Sequence, residues 1–112
     1  MSLTVTVDSN SGPGYRVMSV IGEVDIATVG DLESAIASLD LDGPSLVLDL
    51  TPTEFMDSSG LRLIISVRER LAADGKVLKL AVTGGPISRL LDVTGLTGLL
   101  DVYASVDEAL AS

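Results

Sequence analysis

The sequence predicts one α/β domain over residues 1–112, with a mainly parallel sheet of four to five strands and helices packed on one sheet face. Three observations lead there. Short apolar or β-branched runs alternate with segments whose apolar residues recur at helical spacing. Leu46-Val47-Leu48-Asp49-Leu50 is nearly continuously apolar, as a strand covered on one face and partly on the other must be. Beyond the second strand every connection carries a single helix, which packs back on the sheet through a right-handed crossover. Strands pairing in sequential order then leave all helices on one face.

The elements follow in order. Leu3-Thr4-Val5-Thr6-Val7 alternates in period two, and Tyr15–Ile21 forms a second apolar stretch. Asp8–Gly14, rich in Ser, Asn, Gly and Pro, joins them as a turn expected to be mobile, so the pair reads as a hairpin with its first strand at an edge. After Gly22-Glu23-Val24-Asp25, residues Val29, Leu32, Ile36 and Leu39 mark an amphipathic helix. Asp31 and Glu33 lie in its early turns, where the helix macrodipole favours acids, and Asp42-Gly43-Pro44 closes it.

Leu46–Leu50 is the expected central strand. From Ser59, the set Leu61, Ile64, Ile65, Val67, Leu71 and Ala72 forms one face of the longest helix, opposite Arg62, Ser66 and Glu69, and Asp74-Gly75 ends it. Val77–Val82 is a strand, Ile87–Val93 a short helix after Gly84-Gly85-Pro86, Leu99–Tyr103 a last strand and Val106–Leu110 a terminal helix. The expected order is ββαβαβαβα.

Composition removes many functions. Among 112 residues there are 16 acidic and 7 basic side chains, a formal charge of −9, and no His, Cys or Trp. That excludes a Ser-His-Asp triad, a Cys nucleophile, zinc-finger ligand sets and a disulfide frame. Paired acids such as Asp107-Glu108 or Glu23 and Asp25 lack a second polar group to retune a pKa for acid/base work, so no enzyme, metal or cofactor is expected. The net charge repels phosphate backbones and anionic headgroups, which argues against direct nucleic-acid or membrane contact and for a basic or neutral protein partner. Three aromatics, Tyr15, Phe55 and Tyr103, make no stacking platform. With no long apolar run and no basic leader, the expectation is a cytoplasmic, monomeric protein.

Chemistry concentrates in Phe55-Met56-Asp57-Ser58-Ser59-Gly60-Leu61, between the central strand and the longest helix. Loops at the carboxyl ends of parallel strands are where α/β sheets meet ligands and partners. Asp57, Ser58 and Ser59 can each serve as helix N-cap. The same geometry suits a phosphoryl group on Ser58, since a helix start presents free N–H groups and about half a positive charge. Modification would add about −1.5 to −2 charge to a surface built around a small neutral hydroxyl. Gly84-Gly85-Pro86 lacks the rest of any phosphate-loop pattern and reads as a turn. The Val93–Leu99 stretch either meets a partner or packs on the sheet edge.

Gly22-Glu23-Val24-Asp25, Phe55–Leu61 and Ile87-Ser88-Arg89-Leu90-Leu91-Asp92-Val93-Thr94-Gly95-Leu96, in this order and spacing, resemble the STAS-domain family of bacterial anti-sigma factor antagonists. The resemblance covers nearly the whole chain. It implies a small STAS domain with helices on one sheet face. It also implies an anti-sigma factor partner with serine/threonine kinase activity, and a PP2C-type phosphatase that reverses the modification. The first Ser after the motif Asp is the family's phosphoacceptor, hence Ser58, with Ser59 the second choice. By the same resemblance Asp57 orients the hydroxyl or caps the helix, Gly60 keeps the surface low for the partner, and Asp25 contributes to the kinase interface. Leu61 reads as core.

Arg62 departs from the pattern, because many relatives carry Gly there; it either pairs with the phosphate or is a solvated side chain. Thr51-Pro52-Thr53-Glu54 carries no family signal. The functional expectation is a partner-switching regulator that frees a sigma factor while unphosphorylated. The alternative is a constitutive scaffold, or an accessory subunit of a membrane transport or lipid-trafficking complex. Catalysis through Asp57 and Ser58 is the weakest reading, since no general base accompanies them.

Overall fold

The computed structural model describes residues 3–8, 14–39 and 45–112. The expected turn residues Ser9–Pro13 and the Asp42-Gly43-Pro44 breaker lie outside them. The elements are β1 (Leu3–Asp8), β2 (Tyr15–Val24), α1 (Val29–Ala37), β3 (Ser45–Asp49), β4 (Thr53–Met56), α2 (Ser58–Ala73), β5 (Leu78–Ala81), α3 (Pro86–Val93), a 3-10 turn (Leu96–Gly98), β6 (Asp101–Tyr103) and α4 (Val106–Ala111). The row of strands runs β1-β2-β3-β5-β6, with β4 paired to β2. β1 is an antiparallel edge strand, and every other pairing is parallel.

The sheet, its central β3 and a helical layer of α1, α2 and α3 on one face match the expectation; β4 is an addition, and α4 departs from that layer. Leaving β3, the chain turns at Asp49, whose carboxylate accepts from the Thr51 N–H at 3.1 Å and the Thr51 hydroxyl at 2.6 Å. The Thr53 hydroxyl then donates to the Val20 carbonyl at 2.6 Å, and the chain resumes along β2. Pro52 hides this in the sequence because it lacks an N–H for a ladder, yet its carbonyl still accepts from Gly22 at 3.3 Å. β2 consequently runs three residues past the expected Ile21, through a register shift after Gly22, which adopts φ +109°.

Strand alternation divides the sheet into two faces. Met18, Val20, Leu46, Leu48, Leu78 and Leu80 meet Leu32 and Ile36 of α1, Leu61, Ile64, Val67 and Leu71 of α2, and Ile87 and Leu91 of α3. Each such side chain contributes about 1.5–3 kcal/mol on burial, which makes this aliphatic layer the main stabilising feature. On the other face Val17 and Val47 pack with Ala109 of α4, flanked by Tyr15 and Tyr103. α4 therefore lies across the sheet from α1, α2 and α3.

Lys79 of β5 points to that second face and is 5 % exposed. Its ammonium donates to the carbonyls of Ala109 at 2.9 Å and Ser112 at 3.2 Å, beside the Tyr15 and Tyr103 rings with centroids at 4.7 and 5.3 Å. A cation over two aromatic faces and at a helix C-terminus offsets the cost of burial.

Candidate functional site

The site forms where β4 passes into α2. Asp57 ties the junction to β2 through its N–H, which donates to the Val24 carbonyl at 3.1 Å. Its backbone then leaves the helical region (φ −106°, ψ −171°), and its carboxylate accepts from the Ser59 N–H at 2.9 Å and from the Ser59 hydroxyl. Of the three cap candidates, Asp57 is the N-cap. The Ser59 hydroxyl foremost, then the backbone N–H groups of Ser59, Gly60 and Ile26, hold the Asp57 carboxyl below the usual carboxylate value, against the opposing effect of its partial burial.

This cap separates the two serines. Ser59 is half-buried with its hydroxyl committed to Asp57, whereas Ser58, the first residue of α2, is exposed. Gly60 is buried: a Cβ there would stand 2.6 Å from Met56 Cγ and 2.9 Å from Val24 Cγ1. The expectation that Gly60 keeps an outer surface low does not describe this position. Its missing side chain instead lets the start of α2 settle onto β2 and β4, which sets the height of Ser58. Leu61 is core, as expected. Arg62, one turn on, is exposed and lines a groove of about 290 Å³ between α1 and α2 with Val29, Glu33, Ser59, Leu63 and Ser66.

Asp25 is brought beside the cap, but its carboxylate turns inward. It is 8 % exposed, and Oδ1 accepts from the N–H groups of Ala27 at 2.9 Å and Thr28 at 3.1 Å. Thr28 returns a bond from its hydroxyl to the Glu23 carbonyl at 2.8 Å and leads into α1. This loop pushes Ile26 outward to 83 % exposure, next to the Asp57 carboxylate that its N–H supports. Ile26 is the feature sequence reading missed, because nothing in a lone Ile between Asp and Ala reveals which way the loop faces. Glu23 contributes a buried Oε2 with no hydrogen-bond partner among the described residues. Asp57, Ser58, Ser59, Arg62 and the Asp25 loop thus meet at one end of the sheet. No helix among the described residues is long and apolar enough to cross a membrane.

Comparison with known proteins identifies the family and the fold. The chain is 33 % identical over 112 residues to the anti-sigma-F factor antagonist RsfB of Mycobacterium tuberculosis, covering 97 % of this chain and 88 % of that protein. It is 28 % identical over 101 residues to the anti-sigma-B factor antagonist of Staphylococcus aureus, covering 89 % of this chain and 94 % of the relative. An anti-sigma factor antagonist from Mycobacterium paratuberculosis superposes with a TM-score of 0.87 at 33 % identity, covering 98 % of this chain and 92 % of the other. Unphosphorylated SpoIIAA shares the fold at a TM-score of 0.76 and 19 % identity, over 96 % of this chain and 93 % of its own. The STAS domain family profile matches residues 5–109, and the chain belongs to the STAS-domain family.

Proposed function

We propose that this chain is an anti-sigma factor antagonist acting by partner switching. Unphosphorylated, it binds an anti-sigma factor that has serine/threonine kinase activity, and the sigma factor is released. The kinase transfers the γ-phosphoryl group of ATP to Ser58: the bond from Oγ to phosphorus forms, the bond from the bridging oxygen to the γ-phosphorus breaks, ADP leaves and the hydroxyl proton passes to the kinase. A PP2C-type phosphatase restores the hydroxyl by hydrolysis.

The observation that carries this reading is the exposed Ser58 hydroxyl at the head of a capped helix, in a chain whose relatives bear the antagonist name. Asp57 caps the helix that Ser58 begins, Gly60 lets that helix settle against Met56 and Val24, and Ser59 follows directly with Arg62 one turn on. Asp25 acts through the loop it shapes. A phosphoryl dianion set into such an interface is expected to cost about 3 kcal/mol of binding, roughly 150-fold in affinity.

The test is binding of an anti-sigma factor kinase to the unmodified chain, the Ser58→Ala and Ser58→Asp variants, and the chain after incubation with kinase and ATP. Tight binding by Ser58→Ala, weakened binding by Ser58→Asp and a single phosphate on Ser58 by mass spectrometry are expected. A chain that gains no phosphate, or two variants that bind equally well, would point to a constitutive scaffold instead.

A further inference from the structure

Of the N–H groups at the start of α2 that could serve a phosphoryl group on Ser58, that of Ser59 is already in use. The Asp57 carboxylate accepts from the Ser59 N–H and from the Ser59 hydroxyl. A dianion on Ser58 would therefore arrive beside an ionised carboxylate whose donors are committed, with Glu33 of α1 lining the groove on the other side. Such a group needs a cation.

Arg62 is the one basic residue within a turn of Ser58 along α2. The two are four residues apart, so they share a helix face, with about 5–6 Å between their Cβ atoms. Helix side chains lean toward the N-terminus, which puts Ser58 within reach of the long Arg62 side chain; in the unmodified chain Arg62 lines the groove with Ser59 and Ser66. No acid stands in the first turn of α2 to compete from the same helix. The guanidinium has no ion pair among the described residues, and it borders a groove wide enough to let it swing.

We propose that Arg62 is the intramolecular partner of the phosphoryl group on Ser58. The proposal rests on the reading of Ser58 as the modified residue. Its planar fork donates two parallel N–H bonds to phosphate oxygens, the geometry for which arginine is suited. Modification then has two effects on the docking surface: it adds negative charge at Ser58, and it withdraws from a partner the positive charge that Arg62 offers in the unmodified state.

The experiment installs phosphoserine at position 58 during translation of the full chain, so that no kinase is needed, and titrates the phosphate by phosphorus-31 NMR. The original sequence, Arg62→Gln and Arg62→Lys are compared, with circular dichroism to verify that each is folded. A phosphoserine ordinarily loses its second proton near pH 6. A paired guanidinium favours the dianion, so the midpoint of the original chain should lie below that of Arg62→Gln by about 0.3–0.7 pH unit at low salt. Arg62→Lys should fall between them, and the gaps should narrow as salt is added. Coincident midpoints in all three proteins would overturn the proposal. The switch reading fails on a different result, equal anti-sigma factor binding with and without the phosphate, so the two ideas are separable.

Discussion

The starts of α2 and α4 are both capped by an acidic or hydroxyl side chain, yet they are prepared for different work. At α4 the Ser105 hydroxyl accepts from the Glu108 N–H at 3.1 Å, while the Glu108 carboxylate accepts from the Ala104 N–H at 3.2 Å. Asp107 and Glu108 already place two acids in the first turn, so that end is electrostatically complete. At α2 the cap is equally well bonded, but the first turn carries no acid, its leading residue is an exposed serine, and an arginine with no ion pair among the described residues stands one turn on. The contrast teaches that a receptive helix start is distinguished less by its dipole than by what its cap leaves undone. A hydroxyl outside the cap and a nearby cation are the unspent parts at α2, and α4 has neither.

The largest way to break this contrast is Gly60→Ala. The added methyl meets Met56 and Val24 at distances that force one of them to move, and such overpacking costs about 1–3 kcal/mol even though alanine is the better helix former. Thermal melting should show a drop of several degrees, with the start of α2 lifted and Ser58 displaced. An unchanged melting temperature would mean that the α2 start is not anchored by close approach.

Asp57→Ala comes next. It removes the cap from the longest helix and should lower the melting temperature by less than Gly60→Ala. Its effect depends on pH in a defined direction. The folded carboxyl is held below its ordinary value of 3.8, so its stabilising effect is complete above that value, declines as pH falls toward the lowered folded value and is lost beneath it. Melting of the two proteins should differ at neutral pH and converge in strong acid. A gap that widens on acidification would reverse the sign assigned here.

The smallest effect is expected for Ser105→Ala, at most about 1 kcal/mol, the usual scale for an exposed cap. Because α4 touches only the second face of the sheet, the loss should be local. Amide exchange should quicken at Glu108 and Ala109 while the global melting temperature barely moves. Loss of cooperative folding would show instead that α4 and its Lys79 anchor are integral to the main core.

Much of the helical layer was legible because periodicity records it directly. Leu32 and Ile36, and the run from Leu61 to Leu71, recur at the spacing that puts them on one face, and the structure buries them there. Asp57 and Ser58 were legible as a helix start, although spacing alone left three cap candidates. What chose among them was the ladder bond from the Asp57 N–H to Val24, a contact between residues 33 positions apart in the chain. β4 was invisible for a related reason: a four-residue strand containing exposed Glu54 and Phe55 has no pattern of its own and exists because β2 offers it an edge.

By itself, then, the amino-acid order determined the α/β class, the run of strands and helices apart from β4, and the end of the sheet at which Ser58 lies. Those depend on local spacing and on which residues water rejects. Only the tertiary structure decided that Gly60 faces the core, that Asp25 turns inward and Ile26 outward, that α4 crosses to the other face with Lys79 beneath it, and that Ser59 is bound while Ser58 is open. Each of these depends on which atoms of distant segments come within bonding distance, and a linear pattern does not encode distances between segments that meet only on folding.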